Sequence, residues 1–337
     1  PVSMQYRSLK GFTGWGQTGV LIALLGAGLI LASFAQMLVL SQMDGMNVSL
    51  TEGTDGFMDK LLQPENATYV RLMNAVGTFC MMFLPAVLFS WIVQGKNWFW
   101  MGFNRWFNVQ QLIIGFALIF FANLIASPLA DMTKNVVAGF PELNQLAMKL
   151  EADYERQVKV LANLTGWSEF IMALIFMALL PALFEEMFFR GTMQTLFERW
   201  WGKPILAIVV TSLIFSLIHA SVYLFLSRMI LGVVLGLLFY KTRNLWVNTF
   251  VHFANNALAA AQLFWYNQTH AEVKLDDIDP RLPWWSIIPT VLLTIGGFYW
   301  INLYSRNNRL RIAEKEKALT EQSTTGNPFK NTTGGTE

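Results

Sequence analysis

Charge is scarce in this sequence. Only 14% of its 337 residues are Asp, Glu, Lys or Arg, against 54% hydrophobic residues, and its mean hydropathy is +0.41. An ordinary soluble domain carries about a quarter charged residues, so that class is excluded and a polytopic membrane protein is indicated. Cysteine is scarcer still. The single Cys80 excludes an intramolecular disulfide framework and any CxxC metal site. It lies in an apolar run and reads as a small buried hydrophobe. With a net charge of +2 and no dense basic stripe, no nucleic-acid partner is expected. A cleavable signal segment is not expected either, because the first apolar run is long enough to span and lacks a small-residue cleavage site. No internal repeat is visible, which argues against an inverted-repeat transporter.

Long apolar runs are what the chain does have. They predict an all-α polytopic membrane protein of about eight transmembrane helices in a bundle, in contact with the lipid bilayer. The expected spans are Gly19 to Leu40, Tyr69 to Val93, Gln111 to Leu129, Ser168 to about Arg190, Pro204 to His219, Val222 to Tyr240, Leu245 to Trp265 and Trp284 to Tyr304. Between the third and fourth, Leu143, Leu146, Met148, Leu150, Tyr154, Val158 and Leu161 predict one amphipathic connecting helix. Residues 1–164 then form an N-terminal membrane region and 165–304 a catalytic membrane core. Residues 305–337 form a tail without fold, rich in Ser, Thr and Gly towards its end. Lys and Arg gather at the N-terminus, at Lys96 and Arg105, at Arg199 and Lys203, at Lys241 and Arg243, and in the tail. The loops 41–68 and 266–283 are acidic. The asymmetry predicts a multi-pass protein of the cell (inner) membrane with both termini cytoplasmic.

The polar residues that break the apolar pattern are few. Ile171 to Phe184 is a run of 14 uncharged residues that ends in Glu185, Glu186 and, four further on, Arg190. A charged residue at a helix centre costs about 2.5–3.5 kcal/mol on insertion scales, so such a group marks a functional site by default. Glu186 and Arg190 are i,i+4 and share a face, which predicts a structural ion pair. Glu185 lies about 100° round the helix and is expected to point elsewhere, free for chemistry. Of the three histidines, His270 reads as a solvated loop residue, but His219 and His252 interrupt apolar spans. Phe215 shares a face with His219, and His252 with Asn256. Polar groups on three separate spans are most economically satisfied in one shared cavity. Arg228, near the start of the sixth span, reads as snorkelling to the interface. Gly232 and Gly236 fit close helix packing.

Glu185-Glu186-x-x-x-Arg190, Phe215-x-x-x-His219 and His252-x-x-x-Asn256 resemble, in order and spacing, the three signature motifs of the CPBP (Abi) intramembrane protease family. This family includes the CAAX prenyl endopeptidase. Phe189-Arg190-Gly191, Gly232-x-x-x-Gly236 and Thr242-x-Asn244-Leu245 fit it as well, and the resemblance covers roughly 165–260. It implies an endopeptidase acting on a peptide or membrane-protein substrate. Glu185 would serve as general base, His219 as partner to the water or the proton, and His252 and Asn256 as oxyanion groups. Two mechanisms stay open. Glu185, His219 and His252 can supply three ligands to a catalytic zinc ion, as a metalloprotease requires. The chain has no His-Glu-x-x-His, however, and a metal-free glutamate mechanism uses the same residues. A proton-coupled transporter, which also needs intramembrane ionisable groups, and a non-catalytic scaffold or bacteriocin-immunity protein are the alternatives.

The depths of these residues conflict if the fourth span stops at Arg190. Glu185 is then about 7 Å from the cytoplasmic end and His219 about 22 Å. A fourth helix that runs on to about Arg199 removes the conflict, so Arg190 is expected to be buried with Glu186.

Overall fold

The computed structural model describes residues 6–43, 53–161, 163–269 and 282–325. His270 and parts of the two acidic loops lie outside them. Among the described residues the chain is helical and contains no β-strand. In chain order the helices are α1 (Gly14–Leu40), α2 (Gly53–Leu61), α3 (Pro64–Gln94), α4 (Val109–Ala138), α5 (Pro141–Leu161), α6 (Trp167–Trp201), α7 (Pro204–Leu217), α8 (Phe225–Thr242), α9 (Leu245–Thr269) and α10 (Ile287–Thr325). Their boundaries follow local chemistry. Thr13 Oγ1 caps α1 by accepting from the Gly16 amide, and Asn108 and Gln111 form a reciprocal capping box on α4. Gly95 and Gly202 close α3 and α6 in the left-handed conformation.

Among the described residues, six helices are long and apolar enough to cross a membrane: α1, α3, α4, α6, α8 and α10. The protein is thus an all-α polytopic membrane protein whose outer residues, such as Ile30 and Leu292, present apolar surface to lipid. All eight expected spans are helical, but two do not count as spans on their own. The 14 residues of α7 are apolar but reach only about 21 Å, short of a hydrocarbon core of about 30 Å. Helix α9 has 25 residues, but Asn248, His252, Asn255 and Asn256 dilute its apolar character.

Helix α6 runs unbroken past Arg190 to Trp201, as the depth argument requires. It and α3 share a device. In each, a widened turn with i→i+5 hydrogen bonding precedes a proline, Phe79–Phe83 before Pro85 and Leu174–Leu179 before Pro181. Proline lacks the amide hydrogen that the regular ladder needs, and the wider turn absorbs that loss. A further widened turn, Met187–Gln194, follows Glu186 directly. Such turns inside helices frequently sit at functional sites.

Two apolar clusters hold the bundle. One gathers Leu21, Phe89, Val93, Met101, Phe188, Phe189, Leu196 and Phe215 around α6. The other gathers Leu118, Ile119, Ala122, Leu235, Leu238, Val247, Val251 and Ile301 between α4, α8, α9 and α10. The glycine pair on α8 sits at a close approach. A Cβ at Gly232 would meet Ser212 at 3.0 Å, and one at Gly236 would meet Ile208 at 2.8 Å. With no side chains in the way, buried groups of α6 reach the α8 backbone. Arg190 Nη2 donates to Gly232 O, and Gln194 Nε2 to Gly236 O.

Two expectations need correction. Residues 305–325, expected to lack fold, continue α10 as helix. The segment is rich in Ala, Glu, Lys and Leu, which are strong helix formers, and Glu316 pairs with Arg199 at 2.5 Å. Residues 326–337 lie outside the described residues. The connecting helix α5 forms where expected, but its apolar residues Leu143, Leu146 and Met148 face outward. Its inward stripe runs through Asn144, Ala147, Glu151 and Tyr154. Leu150, Tyr154, Val158 and Leu161 of the expected stripe do turn inward, while Glu142, Lys149, Glu155, Arg156 and Lys159 are exposed.

The glycine contacts give a direct test. Gly236→Ala should destabilise the detergent-solubilised protein by about 1–3 kcal/mol, the usual range for overpacking. Gly26→Ala, where an added Cβ meets nothing within 4 Å, should be neutral or slightly stabilising. Thermal unfolding of both variants against wild type measures the difference.

Candidate active site

The site is built around Glu186, whose side chain on α6 is fully buried. Its Oε1 accepts from Arg190 Nη1 at 2.8 Å and lies 2.9 Å from His252 Nδ1. Its Oε2 accepts from Asn248 Nδ2 at 3.1 Å. The expected ion pair with Arg190 is therefore present, and the carboxylate serves two residues of α9 besides. The Arg190 guanidinium lies 5.0 Å from the Phe215 ring centroid. One buried ion pair thus touches all three motifs.

The proton positions follow from the partners. An ionised carboxylate only accepts, so His252 carries its hydrogen on Nδ1 and donates it to Glu186. Its Nε2 faces the other acid, 3.9 Å from Glu185 Oε2. That gap is too long for a direct hydrogen bond. Glu185 and Glu186 therefore straddle one imidazole, one at each nitrogen. Glu185 stays off the Glu186–Arg190 pair, yet it faces the same imidazole as Glu186. Neighbouring side chains on α6 embrace α9, and the 100° between them spans the width of the ring rather than separating two sites. Among the described residues no hydrogen bond occupies the Glu185 carboxylate, and its side chain keeps 13% of its surface exposed.

His219 stands in the turn between α7 and α8. Its Nδ1 lies 2.7 Å from Phe215 O, an acceptor only, so this nitrogen too is the donor. The Phe215 ring neighbours both imidazoles, with its centroid 4.8 Å from His219 and 6.4 Å from His252. His219 also interacts electrostatically with Glu185 and His252. Asn256, one turn beyond His252, accepts from Asn255 Nδ2 at 3.4 Å, which leaves its own amide hydrogens as donors. Asn255 in turn accepts from Asn123 Nδ2 of α4 at 2.5 Å. Glu185 thus faces His252, His219 stands beside Phe215, whose ring also nears His252, and Asn256 lies one helical turn beyond His252.

The fit to a metal is poorer. Among the described residues no group of three or more His, Cys, Asp or Glu side chains is placed to hold a metal ion. Glu185, His219 and His252 have suitable donor atoms but do not form such a group. The set does not fit zinc in this geometry.

This constellation can be compared with known proteins. Residues 167–258 match the family model of the Rce1-like type II CAAX prenyl endopeptidases. The match supports the CAAX protease assignment that the three motifs imply, and it does so for that segment. A second similarity is to an uncharacterized protein, YpbD, of Bacillus subtilis (strain 168), 35% identical over 94 residues. That stretch is 27% of this chain and 45% of the relative, so the chain spans under half of the relative's length. No solved structure matches the chain.

Within the Rce1-like segment, Asn248 was not singled out from the sequence. It lies four residues before His252, so the face shared by His252 and Asn256 extends one turn further back. Asn123 was missed too, and it lies outside the segment. Its only signal is a lone amide inside the apolar run Gln111 to Leu129.

The two acids should separate in stability as they do in geometry. Arg190→Ala strands a buried carboxylate and should cost about 3–5 kcal/mol. Glu185→Ala removes a side chain with no hydrogen bond and should cost under about 1 kcal/mol. Chemical unfolding in mixed micelles measures both.

Proposed function

We propose that the chain is an intramembrane endopeptidase that hydrolyses a peptide bond of a membrane-associated substrate. The observation that carries the reading is the pairing of Glu185 Oε2 and His252 Nε2 across 3.9 Å, with Glu186 fixing the far side of the imidazole. Glu185 removes a proton from water as the oxygen attacks the scissile carbonyl carbon. The carbonyl electrons move onto oxygen. Asn256 donates to that oxyanion through its amide, and His252, which takes a second proton onto Nε2 from solvent before the attack and keeps it throughout, meets it as an imidazolium whose Nδ1–H rests on Glu186. Loss of one such donor is typically worth about 10²–10³ in rate. The carbon–nitrogen bond then breaks, and the proton on Glu185 passes to the departing amine, with His219 as the shuttle.

The Rce1-like match supports a lipid-anchored or transmembrane peptide as substrate, and a prenylated CAAX peptide is the first to try. In this reading both termini face the cytoplasm of the cell membrane, as the Lys and Arg distribution predicts. A proton-coupled transporter and a non-catalytic scaffold or immunity protein are not favoured. The Rce1-like match over 167–258 supports the protease and neither of these.

The test is a cleavage assay on the purified full chain, in liposomes, with prenylated and transmembrane peptide substrates. Wild type should cleave, and Glu185→Gln should retain under about 1% of its kcat. Cleavage should survive a chelator. Undiminished activity in Glu185→Gln would end the general-base assignment, and chelator loss reversed by zinc would replace the metal-free mechanism with a zinc one.

A further inference from the structure

We propose that Arg228, braced by Tyr154 of α5, is a positioning residue for His219. The inference rests on the protease reading for what His219 does, and on geometry alone for where it is held.

The turn 218–224 is an unusual place for a working side chain. Helix α7 stops at Leu217 and α8 begins at Phe225, so His219 sits on irregular backbone between them. The next residue, Ala220, has φ +50°, a left-handed conformation that costs a residue with a Cβ and persists only where its surroundings impose it. Arg228 supplies part of that imposition. Its Nη1 donates to the His219 carbonyl at 3.2 Å, and its guanidinium stands 4.8 Å from the Tyr154 ring centroid. A guanidinium stacked on an aromatic face has its direction fixed, because the planar fork donates only within its plane. Arg228 is half-buried, and beyond the snorkelling expected of it its charged end has two defined protein contacts.

Polar residues on the inward face of α5 have the same destination. Ser221 Oγ donates to Glu151 Oε2 at 2.9 Å and accepts from the Leu224 amide at 3.2 Å. Tyr223 OH donates to Asn144 Oδ1 at 3.1 Å. Three α5 side chains thus hold one short turn, either directly or through Arg228. At its far end α5 is fixed by Arg71, which donates to Leu161 O and Asn163 O. Helix α5 and Arg71 both lie outside the Rce1-like segment. A brace from elsewhere in the chain holds the first of the segment's two histidines.

The three histidines make this testable without activity. In the full chain labelled with ¹⁵N-histidine, Arg228→Gln and Tyr154→Leu should each shift or broaden the His219 imidazole signals and leave those of His252 in place. Tyr154→Leu acts from a surface helix and covers the case in which Arg228→Gln does not fold. With a cleaved substrate, both variants should lose about 10–100-fold in kcat with KM unchanged, and Arg228→Lys should recover part of it. Unmoved His219 signals in the folded variants overturn the proposal, whatever the activity. His219 signals that move in a wild-type protein background without any cleavage keep the brace and discard the protease reading.

Discussion

The structure depends on one buried carboxylate. Glu186 has no access to water, and an ion in such a place is tolerable only with partners on its oxygens. Arg190, Asn248 and His252 are those partners. Each carries a consequence. Arg190 must be buried too, so α6 has to run deep and α8 has to come close enough for Gly232 to accept its second nitrogen. Asn248 and His252 set the rotation of α9. The hydrogen on His252 Nδ1 decides what its other nitrogen offers to Glu185. Buried ion pairs add little net stability compared with apolar packing. Here the pair's contribution is a fixed arrangement of side chains from three motifs.

A second constraint is height. Helix α7 is too short to cross the bilayer, and its early end is what puts His219 at the depth of Glu185. Ending a helix inside a membrane protein exposes backbone polar groups, which need protein partners in place of water. The turn answers this with its own hydroxyls and with α5. Ser216 Oγ donates to Phe225 O, Ser221 Oγ accepts from Leu224 N, and Arg228 covers the His219 carbonyl. The position of α5 follows from the same need. Asn144, Glu151 and Tyr154 turn inward because the turn they meet is polar, while Leu143 and Leu146 in the first half of α5 face outward.

This also explains what the sequence made legible. Spacing alone located the helices, because apolar runs of fixed length are a strong signal. The i,i+4 rule found the Glu186–Arg190 pair and set Glu185 off it, and depth arithmetic carried the fourth helix to about Arg199, close to its observed end at Trp201. A helical wheel describes one helix at a time, so it did not show that both acids face His252. Two acids 100° apart meet the same imidazole only once α9 is laid between them. Asn123 and Arg228 act across helices that are distant in sequence, and nothing local distinguishes them from packing or snorkelling residues. The first half of α5 was misjudged for a related reason. The apolar stripe of a helix predicts burial only where the facing surface is apolar.

The account stands or falls on Glu186 and His252 acting as one unit. A double-mutant cycle with Glu186→Gln, His252→Gln and the double substitution, read by unfolding free energy in mixed micelles, measures that coupling most directly. Direct contact predicts an interaction energy of about 0.5–3 kcal/mol. Effects that add to within about 0.3–0.5 kcal/mol would show that the two residues do not touch, and would contradict the arrangement on which the site is built.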